Sequence, residues 1–223
     1  MATRWKIVFW MVIASILIGL FVFSLKQLQP KRTLPIINPS QVNPMLVDPE
    51  FQRVGRGHRV GDFSLVDHQN NPVDSSMVDG RIRVVEFFFT TCPSICKVMT
   101  NELLRVQAHH RDEEQLLILS HTVMPEVDDV ATLAAYAEEK GIHYERWRLL
   151  TGDKKEIYRL AREVYFIAPE PPEEIGAIDE DHDFIHTENI GLIDQQGRIR
   201  GYYDGTNEEE MNQLIEDIGL LLR

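Results

Sequence analysis

The chain has 223 residues, 43% of them hydrophobic and 26% charged, with 35 acidic against 23 basic side chains and a formal net charge of −12. Residues 1–32 hold five basic and no acidic side chains, so the remainder carries 18 basic and 35 acidic groups, a formal charge of −17. Nucleic acid and anionic lipid are poor partners for so acidic a body, whose charge suits solubility, cations or basic proteins.

In chain order, a short segment 1–6 precedes Ile7 to Leu25, nineteen positions without a charge, flanked by Arg4, Lys6 and Lys26. As a helix this stretch spans about 28 Å and matches a bilayer core, which predicts a transmembrane anchor over 7–25. Phe23-Ser24-Leu25-Lys26 does not end in the small residues of a cleaved signal peptide. Five of the eleven prolines follow, at 30, 35, 39, 44 and 49, so residues 26–56 read as an extended tether. Ile36, Ile37, Met45 and Leu46 give it a means of lying on the domain. Residues 57–223 are enough for one domain with its own core.

Within that domain, Asp62 to Asp67 alternates, Asn70-Asn71 turns, and Ile82 to Phe89 is a near-continuous apolar run suited to a central buried strand. A helix carrying the cysteines follows at once. Leu116 to Val123 reads as a second buried strand, Val127 to Lys140 as a helix stopped by Gly141, and Trp147 to Leu150 as a short strand. Asp153 with Glu156 opens a helix to about Val164, and Thr206 with Glu209 opens the last helix. Thr187 to Ile193 and Arg198 to Asp204 flank Asp194-Gln195-Gln196-Gly197 as an antiparallel hairpin. Strands alternating with helices, then a closing hairpin and helix, predict an α/β layered sheet, and a Cys-bearing helix after the central strand predicts the thioredoxin-like arrangement.

Cys92 and Cys96 are the only cysteines, in the run Phe87-Phe88-Phe89-Thr90-Thr91-Cys92-Pro93-Ser94-Ile95-Cys96. Proline favours the first helical position, so Pro93 predicts Cys92 as N-cap with Cys96 one turn further on. The helix N-terminus favours thiolate, the form that attacks disulfides and binds soft metals. One turn separates Cα atoms by about 6 Å, inside the disulfide window of roughly 4.4 to 6.8 Å. The pair is therefore fitted to be a dithiol, a disulfide or two ligands of one metal; a structural staple would close only a few residues and stabilise little.

The cysteine run, Thr151-Gly152-Asp153 before Glu156-Ile157-Tyr158, and Ile185-His186-Thr187 leading into Gly191-Leu192-Ile193-Asp194 resemble the Sco/SenC family, membrane-anchored thioredoxin-like proteins of cytochrome c oxidase assembly. The resemblance runs over nearly the whole domain. It implies that Cys92, Cys96 and His186 are copper ligands, and that the protein delivers copper to, or reduces the cysteines of, the binuclear copper site of the oxidase. It implies the copper-bearing oxidase subunit as partner, together with other copper carriers or thiol-disulfide proteins. Lys97, Met124 and Ile185 stand where the family usually has proline, aspartate and aspartate. Two thiolates and an imidazole are a soft donor set that suits Cu(I). Copper and disulfide chemistry place the domain on the periplasmic side of a bacterial inner membrane.

Two metal-free alternatives use the same cysteines. In a thiol-disulfide oxidoreductase Cys92 attacks and Cys96 resolves. A peroxide-reducing enzyme would draw on Thr90 or Thr91 and on an arginine that the sequence does not place. His58, His68, His109, His110, His121, His143 and His182 read mostly as surface residues. The acidic stretch Pro169 to Asp183 is not an EF-hand, because Phe184 and Ile190 stand where the loop needs glycine and glutamate. Met99 and Met124 read as core filling rather than as ligands.

Overall fold

The computed structural model describes residues 2–28, 32–47, 49–167 and 187–223. The chain divides into two compact units, Met1–Thr33 and Leu34–Arg223. The first is essentially one 27-residue helix, α1 (Ala2–Leu28). Several of its side chains lie outside the described set, and among the described residues no helix is long and apolar enough to cross a membrane. The fold thus shows that segment 7–25 is helical without establishing the anchor expected there.

The second unit is a seven-stranded mixed sheet in the order β2-β1-β5-β4-β3-β6-β7. Its strands are β1 (Ser64–Asp67), β2 (Pro72–Asp74), β3 (Ile82–Phe88), β4 (Leu116–Thr122), β5 (Trp147–Thr151), β6 (Asn189–Ile193) and β7 (Ile199–Asp204). β3, β4 and β5 are parallel, while β6 runs antiparallel to β3. All seven residues of β3 and of β4 are buried, as expected for strands covered on both faces.

The short helix α2 (Ser75–Val78) and α5 (Lys154–Arg159) cover one face, around Val85, Phe87, Leu117, Leu119 and Leu150. The helices α3 (Ile95–His109), α4 (Val130–Lys140) and α6 (Glu208–Leu221) cover the other, around Ile82, Val84, Phe88, Ile118 and Leu149. α4 ends where Gly141 takes a left-handed φ of 72° and returns its N–H to Ala137 and Glu138, a conformation that costs a residue with a Cβ about 1 kcal/mol or more.

Local detail departs from the sequence reading at three helix starts. α6 is capped by Asn207, which accepts from Glu209 N and Glu210 N, because the Thr206 hydroxyl is taken by Asp204. α4 begins at Val130 with Asp129 as its cap, three residues later than read, because Asp128 is drawn inward. α3 is capped at Ser94, not Cys92. The expected tether joins the compact unit from Leu34 onward: Leu34 is buried, Ile37 N donates to Ile199 O at 2.8 Å, and Arg200 Nε donates to Pro35 O at 2.7 Å.

Candidate metal centre

β3 delivers the cysteines. Its last residues run into a turn in which Cys92 N donates to Phe89 O at 3.3 Å, and α3 starts three residues later. That turn explains why Cys92 is not the cap. Ahead of the helix, it is wrapped by the backbone N–H groups of Ser94, Cys96 and Ile95. Both cysteines are 4% exposed, and no disulfide joins them.

The two thiols are electrostatically unequal. Burial pushes Cys92 up, but a hydrogen bond from Cys96 and the three backbone N–H groups outweigh it, leaving the thiol below its ordinary value of 9.0. Burial pushes Cys96 well above that value, and its role as donor to Cys92 and the charges of Cys92 and Glu86 add to this, against an opposing contribution from the Phe89 backbone. The helix N-terminus therefore activates only the first cysteine. A single negative charge can be shared across the S–H···S contact, and a second is disfavoured until a cation or a disulfide replaces the proton.

Two carboxylates support the site. Asp128, fully buried, accepts from Thr90 N at 3.1 Å and from the hydroxyls of Thr90 and Thr122, tying the cysteine turn to the end of β4. The Thr90 hydroxyl that a peroxide-reducing site would use is thus committed to Asp128. Glu86 lies on the α3 face of β3; its Oε1 accepts from Ser120 Oγ at 2.5 Å, which in turn accepts from Trp147 Nε1 at 2.7 Å. Its Oε2 has no partner among the described residues, and burial raises the carboxyl from 4.5 to about 7. The one sequence signal for Glu86 is that it and Arg83 are the two charges in an otherwise apolar strand; Asp128 had none.

His186 and the acidic stretch from Pro169 to Asp183 lie outside the described residues, as does His182. The described chain resumes at Thr187, whose hydroxyl donates to Ile167 O at 3.1 Å, and Asn189 Nδ2 donates to the same carbonyl at 3.2 Å. The two ends of this segment are therefore clasped together at the start of β6. Since Val85 pairs with Gly191, β6 begins beside the end of β3 from which the cysteine turn departs. Ile190 and Met99, the latter one turn beyond Cys96 on α3, both approach Gly205 so closely that a Cβ there would stand 2.7 and 3.0 Å from them.

Of the other histidines, His68, His110 and His121 are buried rather than on the surface. His68 Nδ1 accepts from Leu149 N, and His110 Nε2 meets Ile215 O. His121, stacked on Phe87 on the α5 face, is held down to about 4 by burial. Met99 is fully buried core, as read. Among the described residues no group of three His, Cys, Asp or Glu side chains is assembled for a metal, so the cysteine pair is the described part of any donor set.

A reduced dithiol at the start of a helix that follows the central strand of a mixed sheet defines a thioredoxin-like dithiol protein. The SCO1/SenC family profile matches residues 52–222, and the chain belongs to that family. It is 33% identical over 165 residues to the mouse mitochondrial SCO2 homolog, covering 71% of this chain and 60% of the mouse protein. Among solved structures it is similar to BsSco, described as a Sco-family cytochrome c oxidase assembly protein with a disulfide switch, at a TM-score of 0.63 and 23% identity over 74% of this chain and 94% of that one. It is also similar to Bradyrhizobium japonicum ScoI with copper bound, at a TM-score of 0.57 and 24% identity over 74% and 99% of the two chains.

Proposed function

We propose that this protein binds copper through Cys92 and Cys96, with His186 as a third ligand, and serves cytochrome c oxidase assembly by delivering copper to the oxidase's copper-bearing subunit or reducing that site's cysteines. The observation that carries the reading is the cysteine pair itself: two buried, hydrogen-bonded thiols, one activated, in a SCO1/SenC chain. Thiolates are soft donors that favour Cu(I). The mouse relative, the copper-bound ScoI and the assembly role stated for BsSco support it by kinship. For His186, support comes from the return of the chain at Thr187 toward the end of β3 that leads to the cysteines.

A metal-free thiol-disulfide exchanger is the second reading, favoured by the inequality of the two thiols: an activated Cys92 to attack and a protonated Cys96 to resolve. Cu(I) affinity by chelator competition, measured with the disulfide exchange rate, separates them. His186→Ala is expected to weaken copper binding strongly while exchange survives within about tenfold. Cys92→Ser is expected to abolish both. Unchanged copper affinity in His186→Ala would remove the three-ligand site and leave the exchanger.

For location, we propose that α1 anchors the chain in a bacterial inner membrane with the domain on the periplasmic side. Its 27 residues reach about 40 Å, and Trp5, Phe9, Trp10, Ile16, Leu17 and Phe21 are exposed apolar side chains that need a cover. A reporter fused after Arg223 that works only in the cytoplasm would refute this orientation.

A further inference from the structure

At the end of the sheet away from the cysteines, a pocket of about 330 Å³ is lined by Ile36, Asn38, Arg56, Gly57, His58, Arg59 and Arg198. Arg83 pairs with Ile193 just before the β6–β7 turn, whereas the cysteine turn leaves from Phe88. At about 3.3 Å per residue the length of β3 holds the two places roughly 20 Å apart.

The charge here runs against that of the molecule. Gln52 to Val60 contains three arginines and a histidine with no acid, in a chain of net charge −12. Asp194, fully buried, is shared by Arg198 and Arg200, each with a guanidinium nitrogen 2.8 Å from its Oδ2. No described carboxylate forms an ion pair with Arg56, Arg59 or Arg83. Arg56 is exposed at the pocket wall, and among the described residues the Arg59 side chain donates only to Gln196 O. Arg83 is 2% exposed behind the same turn, with Nε unpartnered among the described residues and Nη2 3.3 Å from where a Cβ on Gly197 would stand. A buried guanidinium without a counter-charge is costly, and an anion seated at this turn offsets that cost.

The backbone adds to this. The N–H groups of Arg56, Gly57, His58 and Arg59 donate to no described backbone carbonyl, and Gly57 holds a left-handed φ of 83°. Successive unpaired N–H groups in a turn of that kind form anion-binding concavities. Guanidinium forks match the oxygens of a phosphate two at a time. The volume exceeds what a bare ion fills and sits at the lower end for small-ligand sites, leaving room for an organic group of a few atoms.

We propose that this pocket binds a phosphate group, as the free ion or as a small phosphate ester such as a lipid head group presents, at a site separate from the cysteines. Binding is carried by Arg56 and Arg59, with Arg83 and Arg198 supplying the field behind them.

The test is calorimetric titration of the full-length protein, held in a neutral detergent, with inorganic phosphate and in parallel with glycerol 3-phosphate. Saturable binding of at least one is expected, weakening with added sodium chloride and falling at least about tenfold in Arg56→Gln/Arg59→Gln. Tighter binding of the ester assigns a head-group-like ligand, and tighter binding of inorganic phosphate assigns the free ion. Arg111→Gln/Arg146→Gln, around a separate pocket with Gln107, His143 and Glu145, is expected to leave both within about twofold. Arg56→Gln alone, at an exposed position, repeats the reading should the double variant fold poorly. A parent protein that binds neither anion, or arginine variants that bind as the parent does, would overturn the proposal.

Discussion

Replacing Glu86 by glutamine should change how stability depends on pH, by an amount set by two buried groups. Burial raises the Glu86 carboxyl from 4.5 to about 7. Between those values the unfolded chain has released its proton and the folded one has not, so rising pH favours unfolding. This group's stabilisation is complete below 4.5 and gone above 7; at 1.36 kcal/mol per unit the change is about 3 kcal/mol. His121 acts oppositely. Burial lowers it from 6.5 to about 4, so in that window the unfolded chain binds a proton that the folded one refuses, and about 3 kcal/mol is lost as pH falls through it. In the parent protein the two slopes oppose each other from about pH 4.5 to 6.5.

Glu86→Gln keeps the side chain's shape and removes its titration, leaving the slope of His121 and the other burial-lowered histidines unopposed by it. The variant should gain about 3 kcal/mol on the parent between pH 4.5 and 7.5. Urea unfolding of the reduced, metal-free protein at half-unit pH steps, followed by far-UV circular dichroism, measures this. Parallel stability curves for parent and variant would refute a carboxyl titrating in the folded core.

At pH 7 iodoacetamide should modify Cys92 at least about tenfold faster than Cys96, read by peptide mass spectrometry, because only Cys92 has its thiolate wrapped by backbone N–H groups. Asp128→Asn should cost about 1–3 kcal/mol in denaturant unfolding and loosen the cysteine turn, since an amide oxygen cannot accept all three donors from Thr90 and Thr122. Gly205→Ala should cost about 1–3 kcal/mol in the same assay by pressing a methyl group onto Ile190 and Met99.

The sequence by itself determined whatever depends on neighbours along the chain. The near-continuous apolar runs read at Ile82 to Phe89 and Leu116 to Val123 are the buried strands β3 and β4, Gly141 ends its helix, and Asp194 to Gly197 turns a hairpin. The cysteine spacing announced the dithiol, because two cysteines four residues apart stay close whether or not the first is inside the helix. Tertiary structure alone decided how the two thiols differ. The turn at Phe89 moved the cap to Ser94 and left Cys92 inside a ring of N–H groups, while packing sank Cys96 beside the charge of Glu86. Asp128 reaches Thr90 across 38 positions of sequence, and Arg83 meets the β6–β7 turn across more than a hundred, so no local period could reveal either. Burial, which sets the charge of Glu86, His121 and both cysteines, exists only once the sheet has brought distant segments together.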